Sequence, residues 1–168
     1  MKMTVKDVAY LAFYLALFTV LDYLANSLPL LKMPEGGTLG LGVVALLLAS
    51  YHLGYKKGLL VGSACVILQF VTGAMYIVSF PQFLLDYLLA FTVYGLAVCL
   101  GKYRGIIITN ALRYVFHVIS GVVFFGEYAG ERNVLIYSLV YNAWYMVPTA
   151  ILCLAVVPLL SDRLKARR

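Results

Sequence analysis

Six stretches of the chain are apolar over most of their length, and the short segments between them gather most of the charge. A helix that crosses a bilayer needs about 20 mainly apolar residues. The pattern predicts crossing helices over roughly residues 8–28, 39–53, 58–73, 82–100, 106–126 and 134–160. The first stops at Pro29, and the last is interrupted by Pro148 and Pro158. The second and third are short, which predicts that they are tilted, broken or shielded by neighbours. The first stretch follows Lys2 and Lys6 as a signal peptide would. It is too long for a signal h-region and carries Asp22 near its end, so it reads as a retained helix. The connections leave no room for a soluble domain, and residues 1–168 are expected to form a single six-helix membrane domain.

Composition strengthens this picture. The chain is 64% hydrophobic and 12% charged, whereas soluble domains are about 45–50% apolar and about 25% charged. The class is therefore all-α integral membrane protein. The net charge of +6 would suggest nucleic acid in a soluble protein, but here the basic residues sit at span ends, where they set topology. With the N-terminus inside, the inner side collects Lys2, Lys6, Lys56, Lys57, Lys102, Arg104, Arg163, Lys165, Arg167 and Arg168, against Lys32 and Arg132 outside. Both termini are then cytoplasmic. Arg113 lies within the fifth span and is expected to snorkel towards the inner surface. Cys65, Cys99 and Cys153 fall singly in separate apolar runs, without CxxC or His/Cys spacing, and read as small buried hydrophobes.

Polar residues inside spans are costly and point to function. Asp86 lies near the outer start of span 4, His117 about halfway along span 5, and Tyr137 and Asn142 in the outer part of span 6; Tyr76 lies in the outer connection before span 4. Each also has a plain structural reading. The histidine can bond a neighbouring helix, the aspartate can cap or pair, the asparagine can join helices, and the tyrosines can belong to an aromatic belt. Their shared depth favours a pocket open to the outside. His117, Gly121 and Phe125 follow one another at single helical turns and share a face; the missing side chain at Gly121 is expected to leave room for a flat ligand beside the imidazole. Asp22 reads as solvated or capping, His52 as structural, and Gln69 as a marginal pocket residue. The loop "LPLLKMPEGGTLG", with two prolines and paired glycines, serves either as a lid over the pocket or as a plain connector.

The sequence contains no GxxxxGK[ST], HExxH or GxSxG motif. Asp86 and His117 can form an acid–base pair, but no nucleophile or metal set accompanies them. Small residues mark close helix contacts. Ala9, Ala12 and Ala16 share a face of span 1 that suits a partner, and Gly54, Gly58 and Gly62 share a face suited to packing within the chain.

"MYIVSFPQFLLDYLLAF", "RYVFHVISGVVFFGEYA" and "YSLVYN" resemble the thiamine-specific S components of energy-coupling factor (ECF) transporters, the ThiT family. "MPEGGTLGLG" and "LGYKKGLLVG" resemble that family's first outer loop and second-to-third connection. The resemblance covers roughly residues 9–142 and is most specific in the span 5 motif. It implies six helices with both termini cytoplasmic, thiamine bound from the outside, no catalysed chemistry and no cofactor. It also implies uptake in the cell membrane with a membrane coupling protein and two cytoplasmic ATPases, docked through the Ala12/Ala16 face. Tyr76, His117, Tyr137 and Asn142, together with Tyr87 and Gly121, match the family's ligand positions. Asp86 stands where some members carry glutamate, and Phe125 where they carry tryptophan.

Thiamine joins an aminopyrimidine to a permanently cationic thiazolium. A buried carboxylate at Asp86 can receive charge-assisted hydrogen bonds from the pyrimidine edge. The faces of Phe125, Tyr76, Tyr137 and His117 can wall the cation, and Asn142 can meet a hydroxyl or ring nitrogen. The sequence offers no basic cluster on the outer face, which favours free thiamine over its diphosphate. Three other readings stay open: an S component for a thiamine precursor (hydroxymethylpyrimidine or a thiazole alcohol), a small membrane enzyme, and a structural subunit.

Overall fold

The structure is a computed structural model that describes residues 3–34, 36–73 and 75–165. Lys2, Arg167 and Arg168, which enter the charge count, lie outside the described residues. Among the described residues every regular element is helical: α1 (Val5–Ser27), α2 (Val43–Leu53), α3 (Tyr55–Val71), α4 (Phe80–Leu100), α5 (Lys102–Phe124) and α6 (Val134–Lys165). Single 3₁₀ turns at Pro29–Leu31 and Gly126–Ala129 follow α1 and α5. By length and apolar composition α1, α4, α5 and α6 are each able to cross a membrane.

Local sequence chemistry sets these boundaries. Thr4 and Asp7 form a reciprocal capping box at the start of α1: the Asp7 amide donates to Thr4 Oγ1 at 3.2 Å, and the Thr4 amide donates to Asp7 Oδ2 at 3.0 Å. Gly54, at φ 85°, and Gly101, at φ 83°, turn α2 into α3 and α4 into α5, a backbone region that only glycine enters cheaply. α2 begins at Val43, four residues later than the hydrophobic pattern suggests. Residues 39–42 direct their backbone elsewhere: the Leu39 amide donates to the Leu31 carbonyl at 3.0 Å and the Gly40 amide to Thr149 Oγ1 at 2.8 Å. α6 continues through Pro148 and Pro158 instead of breaking, as membrane helices do when packed neighbours support them.

α2 is the core. Every residue from Val43 to His52 is buried, as befits a helix apolar on all sides, with α1, α3, α4 and α6 packed around it. His52 is held there by the Tyr14 hydroxyl at 2.9 Å. α3 and α4 cross at van der Waals closeness: a Cβ on Gly95 would stand 2.3 Å from the Leu59 amide nitrogen, and one on Gly58 3.0 Å from the Gly95 Cα. Gly58 and Gly62 thus pack within the chain, whereas Gly54 faces nothing within 4 Å and serves the turn alone. Cys65 and Cys153 are buried, but Cys99 is exposed, contrary to the sequence reading.

α4 is irregular in two opposite senses. Leu84–Leu89 widens into a π-helical stretch, and Val93–Leu100 tightens to 3₁₀ geometry. π-helical bulges recur at functional sites, and this one carries Asp86.

Candidate functional site

The widened turn of α4 presents Asp86 to α5. Its Oδ1 lies 2.9 Å from His117 Nδ1, and its Oδ2 accepts from the Ser120 hydroxyl at 2.5 Å and from Gln82 Nε2 at 2.7 Å. On the far side of the imidazole, Arg113 Nε donates to His117 Nε2 at 3.0 Å. Nε2 is therefore an acceptor, which assigns the ring proton to Nδ1, donated to Asp86. A carboxylate accepts about four hydrogen bonds, so Asp86 retains room for about one more without giving up a partner.

Arg113 does not snorkel. It is buried, with its guanidinium carbon 4.5 Å from the centre of the Phe91 ring and 6.0 Å from that of Tyr94. Cation–π contact and the bond to His117 hold it inside. Asp22 is likewise not simply solvated: it is half-buried and accepts from Gln69 Nε2 at 3.3 Å.

Asp22, Gln69, Gln82, Asp86, Arg113 and His117 line one cavity at the end of the molecule where α1 and α3 finish and α4 and α6 begin. All eight residues that the sequence reading proposed for the ligand, Tyr76, Asp86, Tyr87, His117, Gly121, Phe125, Tyr137 and Asn142, border it. Tyr76 and Phe125 face each other with ring centres 6.4 Å apart, and the Tyr87 hydroxyl ties the Tyr76 backbone through bonds of 2.8 and 3.2 Å. Arg132 covers Tyr137 with its guanidinium carbon 4.6 Å from the ring centre. Asn142 is committed to structure on its amide side, where Nδ2 donates to the Ser138 carbonyl at 2.8 Å, while its Oδ1 accepts from the Tyr145 hydroxyl at 2.5 Å.

Gly121 requires a correction. A Cβ there would meet Ser138 Oγ at 2.3 Å and Asn142 Nδ2 at 3.5 Å. The absent side chain lets α6 approach α5; space for a flat ligand beside His117 is not what it chiefly provides.

The loop before α2 forms a wall of the cavity. The Gly36 carbonyl accepts from the Tyr141 hydroxyl at 2.6 Å, and a Cβ on Gly37 would stand 2.7 Å from the Tyr145 ring. Tyr141 and Tyr145 escaped the sequence reading, as did the cavity roles of Arg113 and Gln82. Their signal was a spacing of four: Tyr137, Tyr141 and Tyr145 form one stripe, and Gln82–Asp86 and Arg113–His117 are single-turn pairs on one face. Ala12 and Ala16 lie apart from all this, on an exposed face of α1.

Residues 8–167 match the thiamine transporter protein family (Thia_YuaJ). The chain belongs to the thiamine transporter family. Among its relatives, the thiamine transporter ThiT of Bacillus subtilis (strain 168) is 38% identical over 149 residues, spanning 77% of this chain and 78% of that protein. The solved structure of ThiT from Listeria monocytogenes superposes with a TM-score of 0.76 over 95% of this chain and 93% of that one, at 22% identity, and shows the same fold. Membership places the chain among transporters, not enzymes. Several apolar helices of spanning length are what a multi-pass membrane protein of this family requires.

Proposed function

We propose that the chain is the substrate-binding S component of an ECF-type transporter, which takes thiamine from the outside into this cavity. Uptake then proceeds with a membrane coupling protein and two cytoplasmic ATPases. The observation that carries the reading is the charge of the cavity. Among the described residues that line it, the charged groups are the carboxylates of Asp22 and Asp86 and the guanidinium of Arg113, and with His117 neutral they sum to a formal charge of −1. That charge, enclosed by aromatic rings, complements a flat monocation.

In this reading Asp86 accepts a hydrogen bond from the aminopyrimidine edge at its remaining position. Gln82, Ser120 and His117 hold the carboxylate still, so little ordering is left to be done on binding. Tyr76, Phe125 and Tyr137 offer their faces to the rings, with Tyr87 fixing the segment that carries Tyr76. His117 lies behind Asp86 as its orienting donor, and Asn142, through Tyr145 and Ser138, braces the α5–α6 wall near Gly121.

The end opposite the cavity carries Lys6, Lys56, Lys57, Lys102, Arg104 and Arg163. The excess of basic residues there supports a cytoplasmic location for that end, and with it six spans, cytoplasmic termini, a single membrane domain and a cavity that opens outward across the prokaryotic plasma membrane. The exposed Ala12/Ala16 face suits close approach by a helix of the coupling protein. Cysteine-accessibility labelling is expected to reach positions 32 and 132 from outside and 57, 104 and 163 only after permeabilisation. Mass spectrometry of the small molecule that co-purifies with the chain is expected to give thiamine. A pyrimidine or thiazole precursor in its place would redirect the specificity and leave the transport class intact.

A further inference from the structure

A second recess lies on the outside of the helix bundle. Val66, Ile67 and Phe70 of α3 form one side of it, and Ile77, Phe80 and Phe83 form the other. Ile67, Phe70 and Phe80 are each 65% exposed or more. The stretch from Tyr76 to Phe83 divides this recess from the cavity: Tyr76 and Gln82 border the cavity, whereas Ile77, Val78, Phe80 and Phe83 border the recess. Contact runs across the partition. The ring centre of Phe83 lies 6.1 Å from that of Tyr87, and the Tyr87 hydroxyl holds the Tyr76 amide at 2.8 Å and its carbonyl at 3.2 Å.

The surroundings of the recess point to hydrocarbon. α3 has 17 residues, about 25 Å at 1.5 Å per residue, while a bilayer interior is about 30 Å thick. In the proposed orientation Lys56 and Lys57, in the first turn of α3, hold that end at the inner surface, so hydrocarbon reaches past Val71 and over the recess. Backbone outside a helix is tolerated at that depth only where the protein satisfies it. Here the Val78 amide donates to Gln82 Oε1 at 3.2 Å, and the Tyr76 carbonyl accepts from Gln82 Nε2 at 3.3 Å as well as from Tyr87. Among the described residues that border the recess Ser79 alone is polar, and its hydroxyl accepts from the Gln82 amide at 3.2 Å. None of them is glycine or alanine, the small residues through which membrane helices approach one another, so the recess suits a flexible chain better than a helix. We propose that it holds an acyl chain of an outer-leaflet phospholipid, and that this chain braces the Tyr76–Phe83 partition and so strengthens thiamine binding. The leaflet and the effect on thiamine rest on the proposed function; the acyl-chain chemistry rests on the recess itself.

The first test places the wild type in phosphatidylcholine nanodiscs that contain a small share of phospholipid with a photoreactive diazirine on its acyl chain. Adducts mapped by mass spectrometry are expected at Ile67, Phe70 and Phe80 in several-fold excess over Ile136 and Ile151 of α6, which are 61% and 62% exposed and control for exposure alone. Ile77→Trp fills the recess from within and is expected to lower the labelling there while leaving α6 unchanged. The second test is calorimetric titration of thiamine into the wild type, in the same nanodiscs and in a rigid steroid-based detergent without lipid. Affinity is expected to be higher with lipid by about threefold or more, the scale of ordering one side chain on binding, and in Ile77→Trp the ratio is expected to fall towards one. Even labelling of the recess and α6 overturns the site, and so does a recess labelled less than α6, the result expected if a second copy or a partner helix covers it. A wild-type affinity that ignores lipid, or a full lipid dependence in Ile77→Trp, overturns the bracing role. Failure of thiamine to bind the wild type in either medium, with the excess labelling retained, overturns the proposed function and leaves the acyl-chain site standing.

Discussion

The two halves of α4 solve opposite problems. At Leu84–Leu89 the helix opens into π geometry and sets Asp86 among His117, Ser120 and Gln82. At Val93–Leu100 it tightens to 3₁₀ geometry and brings Gly95 against the backbone of α3. The open half borders a cavity and spends its polar groups on orientation. The closed half has no room for even a methyl group at Gly95 and is held there by backbone proximity, with Ser50 Oγ donating to the Gly95 carbonyl at 2.8 Å. One helix is thus a rigid base at one end and the wall of a site at the other. A binding residue can be held to a fixed position only if the element carrying it is anchored elsewhere, and the tight half supplies that anchor.

Breaking the anchor should have the largest effect. Gly95→Leu drives a side chain into the Leu59 backbone, which stands 2.3 Å from the position of its Cβ. Overpacking of this severity is expected to cost about 3 kcal/mol or more, seen as loss of a monodisperse peak and a lowered unfolding temperature. A Gly95→Leu protein as stable as wild type would refute the close crossing of α3 and α4.

A smaller change sharpens the other half. Gly121→Ala is expected to destabilise the chain by about 1–3 kcal/mol through contact with Ser138. Ser138→Gly removes both the Oγ at 2.3 Å and the Cβ at 3.2 Å, so the double variant should recover part of the loss in thermal unfolding. Equal destabilisation in the presence and absence of Ser138 would return Gly121 to the role of ligand clearance.

The smallest effect on binding is expected far from both halves. Ala12→Trp with Ala16→Trp alters an exposed face of α1. Thiamine affinity of the purified variant should change by less than about 0.5 kcal/mol, while cellular uptake with the coupling protein and ATPases present is expected to cease. Full uptake would exclude this face as the docking surface. Lost binding in a folded variant would tie α1 to the cavity more closely than Asp22 and Asn26 do.

The helical class and the long spans are legible in the sequence because hydropathy and span length act within one segment. Asp86, His117, Tyr137 and Asn142 border one cavity, as their similar positions along their segments suggest. Arg113 was legible only in part: its spacing from His117 places the two on one face, but its burial is decided by Phe91 and Tyr94 on α4, which no pattern within α5 reports. Gly121 was misread because an absent side chain looks the same whether a ligand or a neighbouring helix fills the space. The start of α2 was placed early because Leu39 and Leu41 are apolar, yet the Leu39 amide pairs with the Leu31 carbonyl and the Leu41 amide with the Leu39 carbonyl, outside the helix's own ladder. The π-helical stretch around Asp86 has no sequence signature here beyond the paired polar residues Gln82 and Asp86 on one face.

The account turns on Asp86 as an anionic acceptor held in place by the open half of α4. The direct test is equilibrium titration of thiamine into the purified wild type, Asp86→Asn and Asp86→Glu. Wild type is expected to saturate with one thiamine per chain. Asp86→Asn is expected to bind more weakly by about 1.5–3 kcal/mol, roughly tenfold to over a hundredfold, and Asp86→Glu to retain most of the affinity. Wild-type affinity in a folded Asp86→Asn protein would contradict the account and move the ligand away from this carboxylate.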